Sequence, residues 1–463
     1  MFSIMNIVFD IFPSYGHQHA SYKLAKILKD EGHNIYYIGY LKYFKNLPEE
    51  FERRFIQPHI FSFIENKNIN LWRKIKLAFA EKRNREMYNR NCQIIEKYDE
   101  MILDLQPDII FVDHHYVQKS VLYYKYGVLI ISIQTAPASE MDFTVPPFFS
   151  SHIPTGSFSS LVYIKFLWWN YLLMKKLKCF RNRIIYLGED HLSEVERLAM
   201  KTGFPLREQI DFNHYKGYGE FGLKNIPQLL LSPRDFDFPH PLIKNQYAVG
   251  PLLYINKQME ILDKRYLRVI EFIQNERKKK NIYLIYCSLG TLNDFDLQNS
   301  VKIFQQVISV ARKNKNYRFI ISIGEFVDPA YLLPTPDNVF LFKLIPQIHQ
   351  LTFCDIMIAH GGQNSITECI MNEVPLLIYP FFKGSDLGGN SARVVYHGIG
   401  NRGFINEDTI EGMEGKIKDL LLNPIYRENI HKMKLMLEKK NNSQEALMII
   451  RRLFNEFNKK ENE

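Results

Sequence analysis

The chain has 463 residues, of which 46% are hydrophobic and 24% charged, and its formal net charge is +9. This length and apolar content predict a globular protein of two or three domains. The positive charge favours an anionic partner such as a nucleotide, a phosphate or an anionic membrane surface. Because no Lys/Arg-rich arm typical of nucleic-acid binding is present, we expect no nucleic-acid partner.

The cysteines and the N-terminus bear on the compartment. Five scattered cysteines without a Cys-x-x-Cys spacing argue against a disulfide or zinc framework and favour a reducing cytoplasm. The opening MFSIMNIVFDIF lacks a positively charged n-region, so it predicts a first strand and not a signal peptide. No apolar run reaches the roughly 18 residues of a transmembrane helix. We therefore expect a cytoplasmic protein, at most peripheral on the inner membrane face.

The first half of the chain alternates between strand and helix patterns. Residues 4–12 predict a strand, 20–31 an amphipathic helix, and 34–39 a second strand, which together make one βαβ unit. Residues 108–113 and 128–133 repeat the apolar pattern of buried parallel strands.

A second alternation starts near residue 282, with strands predicted at 283–288, 318–323, 339–342, 354–360 and 375–379. Two such halves predict an α/β protein with two doubly wound domains. We place the first domain at 1–245, the second at 246–440 and a C-terminal helix at 441–463, because turn residues follow the Pro-rich stretch SPRDFDFPHP.

Gly361 and Gly362 follow a predicted strand and precede a helix predicted at 364–372. A strand-to-helix glycine turn of this kind binds phosphate through backbone N–H groups and the helix dipole. Ser365 and Glu368 also fit a capping box, which would use those same groups. On spacing alone, a phosphate site and a plain turn are equally good readings.

Four segments together resemble the family 1 glycosyltransferases with the GT-B fold, in particular the bacterial macrolide and carotenoid enzymes. They are PSYGHQHASYKLAKILKDEGHNI, YCSLGT, IPQIHQL, and the signature HGGQNSITE…VPLLIYP…SDLGGNSARVVYHGIG. The resemblance implies two Rossmann-like domains facing a cleft. The N-terminal domain would bind an acceptor, the C-terminal domain a nucleotide sugar, and the last helix would pack back toward the N-terminal domain.

The resemblance gives His17 the role of the base that deprotonates the acceptor hydroxyl, and Asp113 that of the carboxylate that orients it. The alternatives are a surface or capping histidine, and an aspartate that caps the turn before His114 and His115. His19 is close in sequence but does not match the family's Gly-His position.

The resemblance assigns the donor site to Ser288, Gly290, Thr291, Gln347, His360, Gly361, Gly362, Asn364, Ser365, Glu368 and Asp386. In this scheme His360 and the glycine turn hold the phosphates, Glu368 the ribose and Gln347 the uracil. Ser288 and Thr291 fit ordinary turn residues equally well.

Two features depart from the pattern or compete with it. Leu387 follows Asp386 where many family members have Gln, which leaves glucose in doubt as the sugar, and Lys383 is an extra contact or simply exposed. Two Asp-x-Asp stretches, 235–237 and 294–296, are interpreted as chance occurrences. We expect no required metal or other cofactor besides the nucleotide-sugar co-substrate.

Residues 158–183 place aromatic residues beside lysines and arginines, and a second basic stretch surrounds Trp72. The alternatives are a helix whose apolar face lines an acceptor pocket and a helix that contacts a membrane. Either favours a hydrophobic acceptor. The resulting hypothesis is an inverting transfer of a sugar from a UDP-sugar to a hydroxyl of a hydrophobic small molecule or lipid. The rivals are a nucleotide-sugar 2-epimerase and a non-catalytic nucleotide-sugar-binding protein at a membrane.

Overall fold

The computed structural model of the chain describes residues 4–41, 44, 47–56, 70–137, 140–211, 222–254, 263–290, 296–381, 384–440 and 442–461. Within these residues the chain forms two fully parallel sheets, each covered by helices on both faces. The predicted α/β class is confirmed.

The strands of the first half are β1 (Asn6–Asp10), β2 (Asn34–Gly39), β3 (Glu52–Phe55), β4 (Ile109–Asp113), β5 (Leu129–Gln134), β6 (Ile210–Asp211), β7 (Gly222–Leu223), β8 (Gln228–Pro233) and β9 (Gln246–Gly250). Seven of them form a sheet in the order β3-β2-β1-β4-β5-β8-β9, and β6 pairs antiparallel with β7. The helices are α1 (Tyr15–Asp30), α2 (Leu71–Asn84), α3 (Glu86–Leu105), α4 (Val117–Tyr123), α5 (Phe158–Ile185), α6 (His191–Thr202) and α7 (Leu206–Gln209).

The strands of the second half are β10 (Tyr283–Ser288), β11 (Tyr317–Ser322), β12 (Val339–Phe342), β13 (Ile356–Ala359), β14 (Leu376–Ile378) and β15 (Gly400–Arg402), in the order β12-β11-β10-β13-β14-β15. The helices are α8 (Lys264–Arg277), α9 (Leu297–Lys313), α10 (Gln347–Leu351), α11 (Gln363–Met371), α12 (Leu387–Tyr396), α13 (Ile410–Leu422), α14 (Ile425–Glu438) and α15 (Asn442–Glu461). Short 3₁₀ helices cover His114–Tyr116, Tyr124–Tyr126, Arg234–Phe236 and Pro329–Leu332.

The central strands of both sheets are buried on both faces, which explains why they are almost continuously apolar. In β1, Ile7 and Phe9 enter the core on one side of the sheet, whereas Val8 enters the core on the other. Leu284 and Cys287 of β10 are divided between two cores in the same way.

Each sheet has a point where the strand order reverses. In the first sheet β1 lies between β2 and β4, and in the second β10 lies between β11 and β13. Ligands of doubly wound sheets bind at the carboxyl ends of the strands at such points. The structure therefore predicts two ligand-binding edges, one after β1 and β4 and one after β10 and β13.

Three expectations about the first domain need correction or detail. Helix α1 begins at Tyr15, five residues earlier than predicted, so His17 lies in its first turn and not in a loop. The boundary placed at residue 246 is too early, because β9 pairs with β8 as an edge strand of the first sheet. The C-terminal helix α15, Asn442–Glu461, packs against α1 and β9 of the first domain.

None of the helices that the structure describes combines the length and apolarity needed to cross a bilayer.

Candidate active site

His17 and Asp113 meet at the reversal point of the first sheet. Asp113 is the last residue of β4 and is fully buried, and His17 stands in the first turn of α1, which follows β1. His17 Nδ1 lies 2.8 Å from Asp113 Oδ2. The imidazole side chain is 19% exposed, so it is reachable from the cleft. Because the Asp113 carboxylate accepts a hydrogen bond from the N–H at Nδ1 of His17, Nε2 is the ring nitrogen that can take up a proton.

Asp113 also holds a second histidine, which the sequence interpretation treated only as part of a turn. The backbone N–H of His115 donates to Asp113 Oδ1 over 2.9 Å, and His115 Nδ1 lies 3.2 Å from the same oxygen. His114 Nδ1 instead contacts the Ile133 carbonyl at 3.2 Å. The turn-capping role and the dyad role of Asp113 therefore coexist, one on each carboxylate oxygen. In the sequence, the two consecutive histidines after Asp113 are the feature that could have indicated the contact between His115 and Asp113.

The electrostatics of this cluster keep Asp113 ionised. Burial opposes ionisation, but the neighbouring imidazoles hold the pKa of Asp113 well below its usual value. Burial lowers the pKa of His17, but the charge and hydrogen bond of Asp113 outweigh it and leave that pKa above its usual value. Burial, followed by the charge of His17, lowers the pKa of His115. His17 is therefore the more basic of the two histidines.

The same cluster has the composition of a metal site. His17, Asp113, His114 and His115 each offer one ligand atom, and these atoms lie within 4.8 Å of one another. Three imidazoles and a carboxylate suit Zn²⁺. However, the Asp113 oxygens are already hydrogen-bonded to His17 and His115. A metal bound here would therefore compete with the His17–Asp113 contact.

The glycine turn lies at the reversal point of the second sheet, between β13 and α11. Gly361 has φ +102°, a conformation that suits glycine, and a Cβ there would come within 3.1 Å of the Leu387 carbonyl. Helix α11 begins after Gly362, and no side chain of the described residues caps it. The expected capping box between Ser365 and Glu368 is absent, because α11 begins at Gln363 and both residues lie inside the helix. The first N–H groups of α11 keep their capacity to bind an anion.

His360 is enclosed by glycines at the same edge. A Cβ on Gly290 would lie 2.6 Å from the His360 ring, and one on Gly362 would lie 2.8 Å from it. Burial lowers the pKa of His360 to about 4, so the ring is neutral at pH 7. Its Nδ1 is buried and has no hydrogen-bond partner among the residues that the structure describes. Such an atom costs free energy unless a ligand satisfies it, which agrees with a phosphate-facing role.

Gln347, Ser365 and Glu368 form one hydrogen-bonded group beside the turn. Gln347 Nε2 donates to Glu368 Oε2 over 2.6 Å and to Ser365 Oγ over 3.0 Å. Burial raises the pKa of Glu368 to about 7, although the Gln347 hydrogen bond opposes this. The structure thus holds Glu368 in place before any ribose is present. The expected contact of Gln347 with uracil stays a prediction.

Asp386 and Leu387 stand at the start of α12. Burial raises the pKa of Asp386, and the hydrogen bond from Asn390 and the charge of His17 oppose this rise. Asp386 Oδ2 accepts a hydrogen bond from Asn390 over 2.8 Å. Leu387 is almost fully buried. Ser288 ends β10 beside this edge, whereas Thr291 and Lys383 lie outside the described residues.

Two contacts bring the edges of the two sheets together. Asn364 Nδ2 donates to the Gly16 carbonyl over 2.9 Å, so the residue before His17 touches the donor helix α11. Gly389 of α12 lies so close to the Phe148 carbonyl that a Cβ would come within 1.7 Å of it. The predicted acceptor-side and donor-side residues therefore face one cleft.

A buried ion pair, not predicted from the sequence, joins the domains behind the cleft. Asp237 Oδ1 lies 2.7 Å from Arg393 Nη2 of α12. Arg393, followed by His240, holds the pKa of Asp237 below its usual value despite burial. The aspartate of this Asp-x-Asp stretch thus anchors α12 to the segment that connects β8 and β9.

Solved structures share this architecture. The glycotransferase of kitacinnamycin superposes with a TM-score of 0.69 over 97% of this chain and 100% of that one, at 17% identity. The calicheamicin glycosyltransferase CalG4 gives 0.65 over 98% and 99%, at 16% identity. The glycosyltransferase VinC, solved with DTDP, gives 0.62 over 98% and 100%, at 12% identity. Two doubly wound domains with facing edges are the architecture of the GT-B fold, which the chain shares with these structures.

Sequence comparison narrows the class. The family described as "UDP-glucoronosyl and UDP-glucosyl transferase" matches residues 224–442. The NDP-glycosyltransferase YjiC of Bacillus subtilis strain 168 is 23% identical over 84% of this chain and 82% of its own length. A UDP-glucuronosyltransferase of Pleuronectes platessa is 27% identical over 42% of this chain and 39% of its own length. The segment from 224 to 442 thus resembles this family, and the relatives and solved structures named here are glycosyltransferases.

Proposed function

We propose that the chain is an inverting glycosyltransferase that moves a sugar from a UDP-sugar to a hydroxyl group of a hydrophobic small molecule or lipid. The observation that carries this proposal is the 2.8 Å contact between His17 and Asp113. This contact lies at the edge of the first sheet that faces the glycine turn and helix α11. A buried, ionised carboxylate behind a partly exposed imidazole is the arrangement of a general base.

In the proposed step, His17 Nε2 removes the proton from the acceptor hydroxyl. The acceptor oxygen forms a bond to the anomeric carbon, and the bond from that carbon to the donor phosphate oxygen breaks. The electron pair leaves with the nucleoside diphosphate. Attack from the face opposite the leaving group inverts the anomeric centre. Asp113 stabilises the imidazolium that forms.

The donor edge would take the charge that grows on the departing diphosphate. The uncapped N–H groups of α11 and the orphaned Nδ1 of His360 are neutral groups already in place, so they need little reorganisation. This is why we propose that no metal is required.

Glu368 supports a ribonucleotide in preference to a deoxyribonucleotide. A carboxylate can accept hydrogen bonds from both ribose hydroxyls, whereas the deoxyribose of a dTDP-sugar offers only one. Oε2 of Glu368 already accepts from Gln347 and still has lone-pair capacity.

The test is release of free nucleotide from UDP-glucose, UDP-GlcNAc, UDP-galactose and a dTDP-sugar, each with and without a phenolic or long-chain alcohol acceptor. Acceptor-dependent release with a UDP-sugar, reduced in a His17→Ala variant, would establish the proposal. Epimerised donor without acceptor would instead identify a 2-epimerase. Donor binding with no turnover of any donor, in the presence of lipid extracts as acceptor source, would identify a non-catalytic protein.

A further inference from the structure

Helix α5 carries an apolar stripe on its solvent side. Eight large apolar residues recur in steps of three or four, and each is exposed by 38–83%: Phe158, Val162, Phe166, Trp169, Leu173, Leu177, Phe180 and Ile184. Such steps keep the side chains on one face of a helix, here over about 39 Å. The opposite face supplies the core contacts, through Ile164 and Trp168. The stripe is therefore additional to the face that packs on the protein.

The paired tryptophans show this division most clearly. Trp168 is buried and donates its indole N–H to the Val145 carbonyl over 2.9 Å. Trp169, one residue later, is 60% exposed. Of the two alternatives for residues 158–183, an acceptor-pocket helix whose apolar face is core does not account for the exposure of Trp169 and the rest of the stripe.

Helix α2 packs against α5 and extends the exposed apolar surface. Its Leu71, Trp72 and Phe79 are exposed by 55%, 76% and 63%. We call the outward surface of these two helices the α2/α5 face. Monomeric proteins rarely expose a contiguous apolar surface of this size without an interaction partner.

The net positive charge of the chain comes from the same two helices. Helix α5 has six lysines and arginines and no carboxylate, and α2 has five and a single glutamate. Their net charges of +6 and +4 together exceed the +9 of the whole chain, so the remainder is close to neutral. The net positive charge of the chain is thus located on the two helices that form this face.

We propose that the α2/α5 face docks on an anionic lipid bilayer, with the helices lying in the plane of the interface. Exposed Trp and Phe side chains would enter the boundary between head groups and acyl chains, and the flanking lysines and arginines would reach anionic head groups. A second copy of the chain would fit this face poorly, because two pairs of helices with a net charge of +10 each would repel one another. This inference goes beyond the proposed function and does not depend on it.

The test uses the full chain in flotation with two kinds of vesicle, phosphatidylcholine alone and phosphatidylcholine mixed with phosphatidylglycerol. We expect flotation with the anionic vesicles that weakens as salt increases. In a Lys176→Gln/Arg183→Gln variant the partition coefficient should fall about 30-fold. A Trp169→Ser/Phe180→Ser variant should float less at any salt concentration.

Matched controls lie on the second domain. Phe326 is 54% exposed there and Lys418 is exposed, so Phe326→Ser and Lys418→Gln remove the same chemistry elsewhere. These variants should float like the unmodified chain, and all variants should keep its thermal unfolding temperature. Equal flotation of the α5 variants and the controls would overturn the proposal. So would self-association that the Trp169→Ser/Phe180→Ser variant abolishes, since the face would then be a dimer interface.

Discussion

The two edges of the cleft differ in the charge of their buried side chains. On the first domain, Asp113 is a buried ionised carboxylate and His17 is made more basic by it. On the second domain, burial drives His360 and Glu368 toward their neutral forms, and Nδ1 of His360 has no hydrogen-bond partner in the described part of the chain. One edge carries its own charge, and the other is organised to receive charge from a ligand. Substitutions at the edge of the first domain should therefore affect turnover. Substitutions at the edge of the second domain should affect binding of the nucleotide sugar.

The largest expected effect is that of His17→Ala. Removing the general base should lower acceptor-dependent turnover roughly 10²–10⁴-fold while leaving nucleotide affinity nearly unchanged. Steady-state kinetics together with equilibrium binding of UDP would check both halves. Loss of UDP binding in this variant would show that the two edges are not separable.

Asp113→Asn should come next, with a loss of about 10²-fold or more. The amide would donate to His17 Nδ1 and so favour the wrong tautomer. His17 must be neutral to act, and Asp113 raises its pKa, so kcat/KM should fall as the pH drops through a value above 6.5. In any residual activity of the variant, that fall should move to lower pH. A pH profile that keeps its acid limb would remove Asp113 from the dyad.

On the donor edge, His360→Ala should weaken UDP binding roughly 10–100-fold, the range for a lost hydrogen bond to a charged group. The pH dependence of kcat should stay that of the unmodified chain, because His17 is untouched. Asn429→Ala, at a part of the second domain away from the turn, is the control. Isothermal titration calorimetry would measure the affinities, and unchanged affinity for UDP would contradict a phosphate-facing role.

Glu368→Gln tests the second edge through stability. The folded chain holds the Glu368 proton up to a pKa of about 7, above the 4.5 of an ordinary glutamate. The unfolded chain therefore ionises first, and the free energy of unfolding should fall as the pH rises from about 4.5 to 7. The complete penalty is about 3 kcal/mol. Above pH 7 the variant should unfold at a higher temperature than the unmodified chain and bind UDP more weakly. Identical melting curves across this pH range would argue that Glu368 ionises normally.

The smallest effect concerns metal. EDTA should leave activity unchanged, whereas added Zn²⁺ should inhibit by binding the cluster around Asp113 and drawing His17 away from it. His115→Ala should lower turnover less than tenfold, because the backbone N–H still serves Asp113, and it should weaken zinc inhibition. Activity lost to EDTA and restored by Mg²⁺ or Mn²⁺ would contradict metal independence.

The sequence predicted the features that are local in the chain. Buried parallel strands have continuous apolar runs, so 34–39, 283–288 and 339–342 were placed with the bounds that the structure shows. The glycine turn could be found in the same way, because Gly361 and Gly362 separate an apolar strand from a helix. Five of the residues assigned to the donor site lie at that turn or on the helix after it.

What the sequence missed depends on partners distant in the chain. Strand β9 is five residues long and identifiable only through its pairing with β8. The capping box was wrong because α11 begins at Gln363, so Ser365 and Glu368 lie inside the helix. Their side chains bond instead to Gln347, eighteen residues from Ser365. The ion pair of Asp237 and Arg393 joins residues 156 positions apart, so no local pattern could indicate it.

Helix α15 gives the molecule a property that neither sheet has alone. The chain passes from the first domain to the second after β9, and it returns when α15 places Ala446, Ile450 and Leu453 in the core of the first domain. Two connections instead of one remove rotational degrees of freedom between the rigid halves. We expect any relative motion of the two domains to be a bend about the line through both crossings. Such a bend would change the width of the cleft and keep its two edges in register.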